Sequence, residues 1–369
     1  MLQARSTILG ILGTFGILGI STRSFSLNNL HGNFHAHICE RSKFIFTMAK
    51  RKLILRASRA MVFWGMLIFP LTIPATPVQG IRLVDAKLLF EISDQLSQPS
   101  DVAVSNDGRI YVVDGVNSKI RIFNQSGQAL TSFGTAGSGN GEFKNPLGID
   151  IDRSGRVYIA DSGNHRVQIF DPDGNFIAVI AMQANQKHPP DPTDVAVDES
   201  RNRCYVVDND NHQIVVYDLA TLKQISIYGG PGSGKRAFRY PFLIALDKAR
   251  YLYIVDVINT RVQVLNPEGL FVNFIGAWGV EKGEFYRPKG VALDKKDRIY
   301  VSDSYMGVIQ IFDSTGEFYA AVGEPAKGGV KKFKTPVGIF LDQRDRLYVV
   351  EMFANKVSVY HLAGISKSN

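Results

Sequence analysis

Residues 146–170 read PLGIDIDRSGRVYIADSGNHRVQIF. Apolar side chains here recur at every second position, which is the period of strands. Segments 149–152, 156–160 and 167–170 read as three strands, and 176–180 as a fourth. Gly155 and the pair Asp173 and Gly174 supply the tight turns between them. No helical periodicity interrupts the pattern.

The same stretch returns along the chain. Its tyrosine recurs at Tyr111, Tyr158, Tyr205, Tyr253, Tyr300 and Tyr348, at gaps of 47, 47, 48, 47 and 48 residues. Three residues after each comes an acid: Asp114, Asp161, Asp208, Asp256, Asp303 or Glu351. An asparagine follows three further on at Asn117, Asn164, Asn211 and Asn259, while Met306 and Ala354 depart from the rule. Each copy opens on a proline: Pro99, Pro146, Pro192, Pro241, Pro288 and Pro336. Repetition of a four-stranded unit at this period predicts an all-β fold, a six-bladed β-propeller of four-stranded antiparallel blades. The first strand of each copy carries large branched residues on one face (Val102, Ile149, Val195) and mostly small ones on the other (Ala103, Ala196, Ala245, Ala292). A large face against a small one lets neighbouring sheets approach closely. Asp150 and Phe340 occupy two of the small slots. The last copy shows three strands and ends at Tyr360, whereas 87–92 (KLLFEI) precedes the first copy and reads as an outer strand. We therefore expect an N-terminal strand to complete the last blade and close the ring.

The segments 161–170 (DSGNHRVQIF) and 192–198 (PTDVAVD) resemble the NHL repeat family, and the resemblance covers 82–362. It implies a six-bladed propeller and says much less about chemistry. The family includes an amidating lyase that holds zinc through histidines near the starts of inner strands. The matching positions here are Ser100, Leu147, Thr193, Phe242, Lys289 and Val337, then Asp101, Gly148, Asp194, Leu243, Gly290 and Gly338. None is histidine, so that zinc site is not carried over. No RING, B-box or coiled-coil segment accompanies the repeats, so a ubiquitin-ligase role lacks its catalytic module.

With 45% hydrophobic and 21% charged residues in 369, the chain has material for a large core, which argues against disorder and a small disulfide scaffold. The net charge of +8 belongs to the start of the chain. Residues 1–80 hold nine Lys/Arg against Glu40 alone, leaving 33 of each sign for 81–369. A neutral propeller gives no global attraction for nucleic acid. Residues 48–80 read as a secretory signal: Lys50, Arg51 and Lys52, an apolar run from Ala60 to Ile73, then the small residues Ala75 and Gly80. The run is short for a membrane span and holds Pro70. Cleavage near Gly80 is the preferred reading, with an uncleaved anchor at 60–79 as its alternative. Residues 1–47, with His31, His35 and His37, form a leader of doubtful translation; 81–364 is the propeller and 365–369 a tail. The expected location is exported, periplasmic or extracellular. Cys39 falls in the leader, so Cys204 has no disulfide partner in the propeller and reads as a small buried residue.

Segment 229–235 (GGPGSGK) has phosphate-loop spacing, but Arg236 stands where Ser or Thr is required, and Phe238 and Pro241 are in phase with Phe143/Pro146 and Phe285/Pro288. It reads as a blade-to-blade connection. The repeated Asp and Asn read as turn builders. His165 and His212 share a repeat position and read as exposed loop residues rather than metal ligands. Asp101, Asp150 and Asp194 fall near the channel and are candidate oxygen ligands for calcium, with capping of backbone N–H groups as the plainer role; no other cofactor is expected. The loop between second and third strands turns apolar in the last three copies, at Val257, Ile258, Tyr305, Met306, Met352 and Phe353. Exposed apolar residues side by side mark an interaction site, and a satellite core over the channel mouth is the competing reading. The function expected is a monomeric, non-catalytic scaffold binding a protein of the envelope or extracellular space, with membrane contact only through an uncleaved leader. A metal-dependent lyase or hydrolase at the channel mouth stays open. So does RNA binding through Lys119, Arg166 and Arg261, which the neutral propeller disfavours.

Overall fold

The computed structural model describes residues 80–183, 188–324 and 327–367, with side chains through 363. The leader segments 1–47 and 48–80, Gly80 excepted, lie outside the described residues. So do the histidines at 31, 35 and 37.

Among the described residues there is no α-helix, only strands and three short 3-10 turns. Blade 2 shows the pattern: Pro146–Ile151, Val157–Asp161, Arg166–Phe170 and Phe176–Ala181 pair in order as an antiparallel sheet. Blades 1, 3 and 4 repeat it, opening on Pro99–Val104, Pro192–Asp198 and Pro241–Leu246. The remaining sheet holds two blades fused at one edge. Blade 5 runs from Pro288–Leu293 to Phe318–Glu324. Blade 6 consists of Pro336–Leu341, Arg346–Glu351, Lys356–Lys367 and, from the other end of the chain, Arg82–Ile92. First strands of successive blades contact one another in cyclic order, blade 6 returning to blade 1. They are the inner strands, and the ring of six is closed.

The recurring tyrosines explain the 47-residue period. Tyr111, Tyr158, Tyr205, Tyr300 and Tyr348 are among the largest fully buried side chains, each in a second strand between neighbouring sheets. The connection phenylalanines Phe143, Phe238, Phe285 and Phe333 are buried as well. One core cluster joins Tyr111 and Ile122 of blade 1 to Phe143, Ile149 and Ile159 of blade 2, so each interface is a hydrophobic core in its own right.

Closure is more extensive than the sequence suggests. The closing strand begins at Arg82 rather than Lys87, and the last strand runs past Tyr360 to Lys367. The two pair antiparallel from Arg82↔Lys367 to Ile92↔Val357. The expected tail is therefore largely strand. Leu83, Val84 and Asp85 also pair in parallel with Ala321, Val322 and Gly323 of blade 5. Inner strands also begin earlier than expected, at the proline, because each ladder is bulged just after it, as between Pro146 and Ile149.

Candidate functional site

Two regions gather the chemistry: the channel, lined by the inner strands, and the face carrying the second-to-third-strand loops with the blade-to-blade connections. The cavity in the channel has a volume of about 390 Å3 and is walled by Asp101, Asp150, Asp194, Ala103, Ala245 and Arg250, among others.

At a bulge, backbone N–H groups leave the ladder, and the carboxylates take them. Asp101 Oδ2 accepts from Ile149 N of the next blade at 3.2 Å, and Asp194 Oδ2 from Ile244 N at 2.8 Å. The preceding hydroxyl completes each staple: Ser100 Oγ donates to Leu147 O at 2.6 Å and Thr193 Oγ1 to Phe242 O at 2.7 Å. A hydroxyl followed by a carboxylate after the opening proline is thus a two-point clamp onto the following blade. The neighbour on the other side must be small. A Cβ on Gly338 would run into Asp101 Oδ1, and one on Gly148 into Asp194 Oδ1. Asp150 bridges blades too, accepting from Val197 N at 2.7 Å and from Ile151 N at 2.8 Å.

The three carboxylates therefore serve blade-to-blade backbone bonds. Among the described residues no group of three or more His, Cys, Asp or Glu is gathered to hold a metal ion. Asp194 Oδ1 is left buried without a partner. Burial pushes Asp101 up to about 7, further raised by the charge of Asp150, and Asp150 up to about 6, against the pull of nearby Arg250. Burial and the charge of Asp101 push Asp194 well above the usual carboxylate range. The folded state thus keeps protons that the unfolded chain releases, so the stability these groups contribute is present at low pH and lost as pH rises through 6 and 7. The melting temperature is expected to climb as pH falls from 8 to 5.5, above the range where ordinary carboxylates titrate. The pair Asp101→Asn and Asp194→Asn keeps acceptors for Ile149 and Ile244 and should flatten that slope; an unchanged slope would assign it elsewhere.

Lys289 stands at the corresponding mouth position of blade 5, its Nζ 3.9 Å from the Phe242 ring centroid. Burial, then the charge of Arg287, pushes its ammonium down to about 8. The opposite mouth is tied by bonds between blades, as where Arg153 N donates to Glu199 Oε2 at 3.0 Å and Lys248 Nζ to Lys295 O at 2.5 Å.

On the loop face the repeated acid organises each blade. Asp161 accepts from the incoming connection at Lys144 N and from Asn164 Nδ2 and Arg166 Nε, each at 2.8 Å. Asp256 does the same with Arg239 N, Asn259 and Arg261. The candidate RNA contacts change accordingly. Arg166 and Arg261 are clasps inside their blades, and only Lys119 is exposed. The glycine-rich connection 229–235 turns carbonyls inward. Gly232 O accepts from Asn259, Ser233 O and Gly234 O from Arg261, the opposite of an amide cradle for phosphate. His165 and His212 share the left-handed position of this loop with Ser118, Thr260, Gly307 and Asn355.

The six expected contact residues divide by position. The residue directly after each acid turns inward, so Val257 is 7% exposed and packs in the blade 4–5 core, and Met352 packs against the blade 6–1 core. The next residue turns outward: Ile258, Tyr305 and Phe353 are 40%, 66% and 57% exposed. Met306 is half-buried. The connections supply exposed apolar residues that the loop pattern alone does not reveal: Tyr240, Trp278, Val280 and Tyr286. Trp278 is 73% exposed, and Tyr286 stacks on Tyr305 at 4.1 Å between ring centroids.

These features define a closed six-bladed propeller with a stapled channel and a half-apolar loop face. The chain is a six-bladed propeller that carries NHL repeats over part of its length. The NHL repeat family matches residues 143–170 and 190–217, and a family described as a 6-bladed beta-propeller matches 92–156 and 293–368. No curated protein matches the sequence. Solved structures share the fold at low identity. Streptogramin B lyase is 13% identical, covering 77% of this chain and 98% of its own at a TM-score of 0.53. Virginiamycin B lyase from Staphylococcus aureus is 14% identical, covering 74% and 98% at 0.53. A protein of unknown function from Bacteroides thetaiotaomicron is 14% identical, covering 77% and 76% at 0.55.

Proposed function

We propose that the chain is a non-catalytic scaffold that binds a protein partner through the loop face of blades 4–6, the partner lying in the envelope or outside the cell. The observation that carries this reading is the collection of Ile258, Tyr305, Phe353, Trp278 and Tyr286, exposed on loops and connections of adjacent blades. Aromatic side chains on a rigid support supply binding area at little conformational cost. The channel carboxylates, by contrast, are engaged with backbone N–H groups between blades.

The test is the combined variant Tyr305→Ser, Phe353→Ser and Trp278→Ser. All three side chains are mostly solvent-exposed, so each should change stability by only about 0.5 kcal/mol. Partner recovery from the native compartment should be abolished while the thermal melt stays within a few degrees of the parent. Retained recovery, or a collapsed melt, would refute the reading.

A further inference from the structure

The apolar tips are not alone on their face. In blade 4, Ile258 N donates to Arg239 O at 3.1 Å; in blade 5, Ser304 N donates to Arg287 O at 2.9 Å. In blade 6, Met352 N donates to Thr335 O at 3.2 Å, which sets Lys334 beside Phe353. The fold therefore places an exposed cation beside an exposed apolar tip in each of three successive blades. Lys332 adds a further charge, its Nζ donating to Met306 O at 3.0 Å. Arg239, Arg287 and Lys334 are exposed, and none takes part in a salt bridge among the described residues. Glu281 is the exposed acid on the same connections. Blades 1–3 lack the combination. The equivalent pairs are Ser97 with Val116, Lys144 with Gly163 and Asp191 with Asn209.

We propose, resting on the scaffold reading above, that the partner presents an acidic polypeptide segment in which carboxylates alternate with apolar side chains. Its carboxylates meet Arg239, Arg287 and Lys334, and its apolar residues pack on Ile258, the Tyr286–Tyr305 stack and Phe353. Guanidinium groups pair with carboxylates in a fixed planar geometry, and charge complementarity around an apolar centre sets partner choice and encounter rate. A polypeptide fits better than a nucleic acid. The charges of 81–369 cancel, so long-range attraction for a polyanion is missing, and each of the two stacked tyrosines already spends a ring face on the other.

The probe is a displayed random-peptide library selected on the full chain, with binding of the selected peptides followed by fluorescence anisotropy across a salt series. Selected peptides are expected to be enriched in Asp and Glu interleaved with aliphatic and aromatic residues. The triple reversal Arg239→Glu, Arg287→Glu and Lys334→Glu should weaken them roughly tenfold or more, with the melt unchanged. Neutral or basic peptides whose binding is lost with Tyr305→Ser and Phe353→Ser would overturn the acidic partner and leave the scaffold reading standing. No selectable peptide, or peptides indifferent to both sets of substitutions, would overturn both. Tighter binding of oligouridine or of phosphatidylserine vesicles than of any selected peptide would overturn the polypeptide assignment.

Discussion

A chain that begins at Ser93 is expected to lose its cooperative fold. The strand Arg82–Ile92 is paired along both edges, antiparallel to Lys356–Lys367 and in parallel to Phe318–Glu324. Its Leu83, Val84, Ala86 and Ile92 are buried, Val84 and Ala86 in the blade 5–6 core and Ile92 in the blade 6–1 core. Each large apolar side chain returned to water costs about 1.5–3 kcal/mol. The total is comparable with the roughly 5–15 kcal/mol by which whole domains are stable. Removal also bares two sheet edges, one on each side of the gap, and open edges recruit other chains. The expected result is a broad, low melt by circular dichroism, with light scattering rising at the same temperature. Added peptide 81–92 should restore part of the transition. Val84→Pro is the milder form: Val84 lies opposite both Ile365 and Val322, where proline removes a ladder donor. A truncated chain that melts cooperatively at the parent temperature would show that the ring does not need its clasp.

What the sequence discloses here follows from what repeats. The tyrosine at each second strand is fixed by packing between two sheets, so its period is visible without any structure. The ring closure was legible in part. Residues 87–92 (KLLFEI) read as an outer strand, but 361–367 (HLAGISK) carries no strand signal of its own, and its pairing with the start of the propeller is decided by distant residues. The channel carboxylates lie on first strands that are legible in the sequence, yet their partners lie in the next blade, at Ile149, Val197 and Ile244, and no spacing along one copy reveals them. The loop face shows the sharpest limit. Val257 and Ile258 are adjacent and equally apolar, and only the turn geometry after Asp256 sends one inward and the other to solvent. Trp278 and Tyr286 sit in a connection punctuated by Gly276, Gly279 and Gly283, where turn signals mask exposed aromatics.

Asp161→Ala is expected to be the most damaging single substitution on the loop face, because one carboxylate holds three separate parts of its blade. It accepts from Lys144 N, which fixes the entry of the chain from blade 1. It accepts from Asn164, which shapes the loop, and from Arg166 and Gln168, which lock the third strand against the second. The carboxylate is fully buried, and the Arg166 side chain is 13% exposed. Truncation leaves that guanidinium without its counter-charge; its bonds to Gly139 O and Glu142 O remain but do not neutralise it. Removing one partner of a buried ion pair costs about 3–5 kcal/mol. For a domain of this size that lowers the melting temperature by on the order of 10 °C. Asp161→Asn keeps one acceptor and loses the charge, so its cost should fall between Asp161→Ala and the parent. The double variant Asp161→Ala, Arg166→Ala removes the stranded cation and should recover part of the single-variant loss, the coupling that a double-mutant cycle measures. Chemical denaturation of the four proteins gives each term. If Asp161→Ala stays within about 1 kcal/mol of the parent, the ordinary spread for point substitutions, the repeated acid is ornament and the blade is held by its tyrosine core alone.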